Sequence, residues 1–237
     1  MDTKDIPVIE LDNIKKSFIT GVGEIEVLKG ISFKIHKSEF VSVMGPSGSG
    51  KSTCMNIVGC LDNATSGKYI LDGKDVSEKT SNELADIRNR KLGFVFQNFN
   101  LLGKRNLVDN VALPLIYRGV SKRERNEKAI QILEKVGLKG FETYVPNQLS
   151  GGMKQRVAIA RALIGDPEVI LADEPTGNLD SKTTAEIMDL FEELNSNLKI
   201  TIVMITHEED LAKRTKRIIN IKDGKVSYDG EAKKFRR

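Results

Sequence analysis

The chain has 237 residues, 39% hydrophobic and 30% charged, with a formal net charge of +4 at pH 7. That length with that much apolar material makes one ordinary domain with a real core, and it excludes disordered, collagen-like and mini-protein classes. No apolar run approaches the roughly 18 residues of a membrane span, and the start Met1-Asp-Thr-Lys-Asp-Ile-Pro7 carries acids where a secretory leader would be apolar; a cytoplasmic chain is expected.

From Ile9 to about Met44, apolar and polar residues alternate, with glycine breaks at Gly21, Gly23 and Gly30. The pattern predicts several strands with tight turns, an antiparallel entry layer. Phe40-Val-Ser-Val-Met44 then runs into a glycine-rich loop and a helical stretch from Lys51 to Gly59, a strand–loop–helix unit. Cys54 and Cys60 match no metal or redox spacing and read as reduced, structural thiols. In the middle, Ser121-Lys-Arg-Glu124 is a capping box, and Ala129, Ile132, Leu133 and Val136 follow at helical spacing before Gly137. This stretch predicts a helical subdomain. Val169-Ile-Leu-Ala172 and Thr201-Ile-Val-Met-Ile205 are short continuous apolar runs suited to buried parallel strands, and Ile187, Leu190, Phe191 and Leu194 line one helix face between them. Strand, helix, strand argues an α/β sheet. Asp72-Gly73 and Asp223-Gly224 mark hairpins.

Gly45, Pro46, Ser47, Gly48, Ser49, Gly50, Lys51 and Ser52, followed by Thr53, satisfy GxxxxGK[ST] between a predicted strand and helix. Such a loop turns successive N–H groups and a helix N-terminus toward phosphate oxygens. Lys51 suits the β and γ phosphates, and the Ser52 hydroxyl suits Mg²⁺. Asp173 and Glu174 follow an apolar strand, at the sheet edge where α/β folds place ligands. Asp173 is suited to the Mg²⁺ shell, and Glu174 to polarising the water that attacks the γ-phosphate. His207, at the end of the Thr201 strand, occupies the same edge and suits a phosphate-sensing donor. Ser150, Gly151 and Gly152 open another helix, with Ser150 as N-cap, and make a second anion site. Whether the two anion sites face one nucleotide or two stays open from the residues alone.

Leu149-Ser-Gly-Gly-Met-Lys-Gln-Arg156 resembles the signature of ATP-binding-cassette (ABC) ATPases, and the phosphate loop, the Val169 strand with its acidic pair and His207 stand in that family's order. Gln97 after Phe94-Val-Phe96, and Asn178-Leu-Asp180 after the acidic pair, strengthen the likeness, which covers nearly the whole chain. The resemblance implies an α/β phosphate-loop NTPase of the ABC ATPase kind. Its parts are a RecA-like mixed sheet core, an antiparallel β subdomain and an α-helical subdomain, with residues 1–97 and 158–237 as the core and β subdomain and 98–157 as the helical part. It further implies a homodimeric or heterodimeric cassette, the homodimer being the simpler, with two Mg-ATP held between the phosphate loop of one subunit and the helix start at Ser150 of a second ATPase subunit. Phe18 takes the place of the adenine-stacking aromatic, usually tyrosine. Gln97 would touch Mg²⁺ and water, and Asp180 would organise the dimer interface. Met153 departs from the commoner glutamine.

The finer pattern, in Phe99-Asn-Leu-Leu102 and Glu174-Pro-Thr-Gly-Asn-Leu-Asp180, is similar to the macrolide-export and lipoprotein-release branch. Gly103-Lys-Arg-Asn106 departs from the Pro and Thr often found there. The expected role is the ATP-hydrolysing subunit of an exporter, peripheral on the inner face of the membrane and driving separately encoded permease subunits. A cassette switching a cell-wall hydrolase or sensor kinase is the alternative, and no nucleic-acid partner is expected. Phe99, Leu101 and Leu102 are the docking candidates. The basic cluster Arg118, Lys122, Arg123, Arg125 and Lys128, with the tail Lys233, Lys234, Arg236 and Arg237, reads as solvated or membrane-proximal surface.

Overall fold

The computed structural model describes residues 6–21 and 23–236. Residues 1–5, most of the stretch Met1–Pro7, and Arg237 of the basic tail lie outside the described residues.

Two long strands, β1 (Pro7–Thr20) and β2 (Gly23–His36), pair antiparallel and join β4 (Ser66–Leu71) and β5 (Lys74–Asp75) in a four-stranded sheet ordered β2-β1-β4-β5. Gly21 and Gly23 stand at the turn between β1 and β2. Gly30 does not break the chain: it lies inside β2 at φ +86°, where the pairing skips from Ile31 to Lys29. It is a bulge position, and a Cβ there would lie 2.6 Å from Asn13 Oδ1.

β3 (Phe40–Met44) leaves this layer for a six-stranded sheet with β6 (Leu92–Phe96), β7 (Val169–Asp173), β8 (Thr201–Ile205), β9 (Arg217–Lys222) and β10 (Lys225–Glu231). The order is β10-β9-β3-β8-β7-β6. All neighbours are parallel except β10, which returns as a hairpin through Asp223-Gly224. Alternate residues of each central strand feed opposite layers. Ile170, Ala172, Ile202 and Met204 join the helical side, with α3 (Leu107–Tyr117), α4 (Lys122–Lys135), α5 (Gly151–Leu163) and α6 (Ser181–Leu198). Val169, Leu171, Val203 and Ile205 pack on α1 (Lys51–Val58) and the four-stranded sheet. Both faces are covered, which is why the strands read as unbroken apolar runs.

Cys54 and Cys60 are free and buried, and burial pushes their thiols up to about 12 and about 11. Ser121 caps α4 by accepting the Glu124 N–H. α5 runs unbroken through residues 157 and 158, so one rod joins the helical layer to the sheet. α2 (Ser81–Lys91) carries a reciprocal capping box between Thr80 and Glu83, a signal present in the sequence but not read there. α7 (Glu209–Lys213) follows β8. Arg118 is not on a solvated face: its guanidinium turns inward to the Asn89 side chain and backbone and to Gly165 O. Among the described residues no helix is long and apolar enough to cross a membrane.

Phe191 of α6 is fully buried 6.5 Å from Phe40, where the helical layer meets the sheet. Phe191→Ala should remove about 3–5 kcal/mol of stability, read as a lower urea midpoint at unchanged slope.

Candidate active site

Strand register builds the site. Val43 pairs with Ile205, Ile205 with Asp173 and Asp173 with Phe96, so one row crosses four parallel strands. Within two residues of that row the chain leaves the sheet as the glycine loop, as Thr206-His207, as Glu174 and as Gln97.

The loop after β3 is pressed against its surroundings. A Cβ on Gly45 would fall 2.0 Å from Ile221 O, and one on Gly50 would meet Leu28 at 2.7 Å. Gly48 and Gly50 sit at φ +75° and +104°, which glycine tolerates best. The Gly224 N–H donates to Ser49 O at 3.1 Å, tying the loop to the β9–β10 turn. Lys51 Nζ donates to Gly45 O at 2.7 Å and Pro46 O at 2.8 Å, curling over the loop. Gly50 caps α1 with no side-chain bond. The N–H groups of the first turn, at Lys51, Ser52 and Thr53, thus stand outside the helical ladder, as an anion site requires.

Asp173 is half-buried at the end of β7. Desolvation, then the neighbouring Glu174 charge, push its carboxyl above the ordinary range, with Lys51 opposing them. Glu174 is held at φ +44°, and its N–H donates to Ile205 O at 2.9 Å. His207 Nδ1 lies 2.7 Å from Glu174 Oε1. The sequence places both residues at one edge; their direct pairing is a finding of the structure. Lys51, Asp173, Glu174 and His207 therefore form one group around the phosphate loop.

A second group surrounds the start of α5. Ser150 Oγ accepts the Met153 N–H, and Gly151 and Gly152 lie against Leu179 and Thr183 of the same chain. Asp180 caps α6, accepting the Thr183 N–H at 3.0 Å and hydroxyl at 2.6 Å. These bonds, the hydroxyl's first, hold its carboxyl below the usual range. Asn178, given no role on the sequence, joins this group to Gln97: its Nδ2 donates to Gln97 O at 3.1 Å and Asn98 Oδ1 at 3.0 Å. Phe18 stands apart on β1 opposite Ile25, partly exposed, with the Lys16 ammonium 5.1 Å from its ring centroid.

Among the described residues no cluster of three or more His, Cys, Asp or Glu could hold a metal by itself. The oxygen donors at hand, the Ser52 hydroxyl, the Gln97 amide and the Asp173 carboxylate, suit Mg²⁺, which keeps several ligands from phosphate and water.

A cavity of about 750 Å³ opens between α2, β6, α3 and α5, lined by Phe94, Phe96, Pro114 and Tyr117 with Arg90 and Arg118 at its walls. Of the docking candidates Phe99, Leu101 and Leu102, none lines it. Leu101 packs, partly buried, against the core, and the Phe99 carbonyl accepts a bond from Arg161. Asn100 of the same stretch does face the cavity.

The ionised form of Asp173 is disfavoured in the fold, so its stability penalty is present at neutral pH and fades as pH falls toward the ordinary carboxylate value of 3.8. Asp173→Asn should therefore raise the Tm of the ligand-free protein at pH 7, with the difference shrinking by pH 4.

Known proteins resemble this chain in sequence and fold. A family profile described as ABC transporter matches residues 28–177. The Bacillus subtilis protein YknY, an uncharacterized ABC transporter ATP-binding protein, is 54% identical over 219 residues, 92% of this chain and 95% of its own length. The Campylobacter fetus macrolide export ATP-binding/permease protein MacB is 51% identical over 222 residues, 94% of this chain, which spans only 34% of MacB. A solved dimer of the ATP-binding cassette MJ0796, in a post-hydrolysis state bound to ADP and Pi, superposes with a TM-score of 0.85 at 44% identity, covering 96% of this chain and 100% of that one. The expected α/β ABC ATPase fold, with ATP and Mg²⁺ as its nucleotide and metal, is the one found. The chain belongs to the ABC transporter ATP-binding family and is an ATPase cassette.

Proposed function

We propose that this chain is the ATP-hydrolysing subunit of a transporter of the macrolide-export or lipoprotein-release type. It pairs with a second cassette around two Mg-ATP and drives separately encoded permease subunits from the inner face of the membrane. In this reading Phe18 stacks on adenine. The residues 45–53 hold the phosphates, with Lys51 against the β and γ groups, and Ser52, Gln97 and Asp173 hold Mg²⁺, which neutralises charge on the transferred phosphoryl group. Glu174 orients the attacking water, and His207, bonded to Glu174, donates to the γ-phosphate. Phosphoryl transfer needs positioning and charge more than covalent help, and this group supplies both. Ser150, Gly151, Gly152 and Asp180 serve the partner's nucleotide.

The observation that carries the catalytic part is the pairing of Glu174 with His207 beside Lys51 and Asp173. The transport part is supported by the MacB relatives, in which a cassette of this kind occupies about a third of an ATP-binding/permease chain. YknY is almost wholly cassette, the arrangement this reading follows. In this reading the cavity between α2, β6 and α3, whose lining joins Phe94, Phe96, Pro114 and Tyr117 with Arg88, Arg90, Arg118 and Arg161, is the docking groove for a permease helix.

Glu174→Gln should cut steady-state turnover by about 10²-fold or more while ATP still binds, measured by phosphate release and nucleotide titration. Undiminished turnover would remove Glu174 as the water-orienting group. Tagged Glu174→Gln protein, taken with ATP from gently solubilised membranes of its host, should carry a permease with a large extracytoplasmic domain, identified by mass spectrometry. A partner bearing a cell-wall hydrolase or sensor kinase would instead assign the cassette to mechanical signalling, and ribosomal or DNA-bound material would contradict both.

A further inference from the structure

Gly151 and Gly152 take ordinary helical backbone angles, so conformational freedom is not what requires them. Close packing within their own chain is. A Cβ on Gly152 would lie 2.5 Å from Thr183 Cγ2, and one on Gly151 would lie 3.0 Å from Leu179 Cδ2. The Thr183 methyl cannot swing aside cheaply, because its hydroxyl donates to Asp180 Oδ2 at 2.6 Å and β-branching leaves few rotamers in a helix. One side chain thus faces two ways: its methyl fills the notch at Gly152, and its hydroxyl holds Asp180.

We infer that Thr183 is a positioning residue that clamps the helix start at residues 150–152 to the turn at 178–180, so that both present themselves to a second chain's nucleotide as one rigid edge. The inference rests on the shared-nucleotide reading above and adds the residue that sets the geometry of the shared edge. It also gives Gly152 a duty inside its own chain, separate from close approach to phosphate.

The test is self-association driven by Mg-ATP in the Glu174→Gln background, followed by sedimentation, with ATP affinity of the single chain and Tm measured alongside. Gly152→Ala should weaken association by about tenfold or more, because the added methyl forces Thr183 off Asp180. Adding Thr183→Ser, which removes the opposing methyl and keeps the hydroxyl, should bring association back to within about threefold of the background. Thr183→Val, which keeps the methyl and removes the hydroxyl, should weaken association severalfold with single-chain ATP affinity unchanged.

A Gly152→Ala/Thr183→Ser protein as weak as Gly152→Ala alone would overturn the inference, since the glycine would then serve phosphate approach only. Losses in Tm or single-chain ATP affinity that match the loss of association in every variant would overturn it as well. If Gly152→Ala does not fold, the two Thr183 variants decide alone: Thr183→Val weak and Thr183→Ser near the background supports the clamp, and the reverse order refutes it. Failure of the unaltered background to associate with ATP would refute the shared-nucleotide reading instead, and rescue of the Gly152→Ala midpoint by Thr183→Ser would then test the clamp.

Discussion

The row formed by Val43, Ile205, Asp173 and Phe96 fixes the rest of the molecule's chemistry. Four chain segments leave a parallel sheet within two residues of one line, so the phosphate loop, His207, Glu174 and Gln97 converge without any long loop having to fold onto the site. Strand side chains alternate with a period of two, so a slip of one residue in β7 would turn Asp173 away from Lys51 and exchange the buried layers that its apolar residues feed. Core and site are thus bound to the same register. The apolar faces that bury Ile170 and Ala172 on one side and Val169 and Leu171 on the other are what hold it.

At that edge the charged groups stand close together. Asp173 is partly desolvated beside Glu174, and Lys51 bonds to carbonyls of its own loop. α1 begins at an uncapped glycine, whereas α5 and α6 are capped by Ser150 and Asp180. The contrast gives the two anion sites different characters. In the reading proposed above, the first is where a nucleotide and its Mg²⁺ would bind. The second is already satisfied within its own chain and tied to the neighbouring turn through Thr183 and Leu179. Such a surface suits an edge that meets a ligand already bound elsewhere.

The sequence carried the fold where a physical signal is local. The apolar runs at Val169 and Thr201, the helical face of Ile187 to Leu194, the Asp-Gly hairpins and the glycine loop all form as their patterns require. It misled where a signal has two meanings. Gly30 reads as a turn but makes a bulge in a strand that continues, and Arg118 reads as part of a basic face but satisfies carbonyls inside. Contacts between distant segments were not legible: the bond from His207 to Glu174, the bridge from Asn178 to Gln97 and the fit of Gly152 on Thr183 all depend on tertiary approach. The cavity at α2, β6, α3 and α5 was not legible for the same reason. Phe99 and Leu101 are apolar in sequence, but Leu101 packs against the core, and the lining comes from other residues, Phe94 and Phe96 of β6 and Pro114 and Tyr117 of α3 among them.

The claim on which the functional account turns is that one chain supplies only half of each nucleotide site. Native mass measurement of the Glu174→Gln protein with saturating Mg-ATP tests it most directly. The account predicts a species of two chains carrying two nucleotides, which falls back to single chains when ATP is replaced by ADP. A single chain that stays single with one ATP bound at saturation would contradict it.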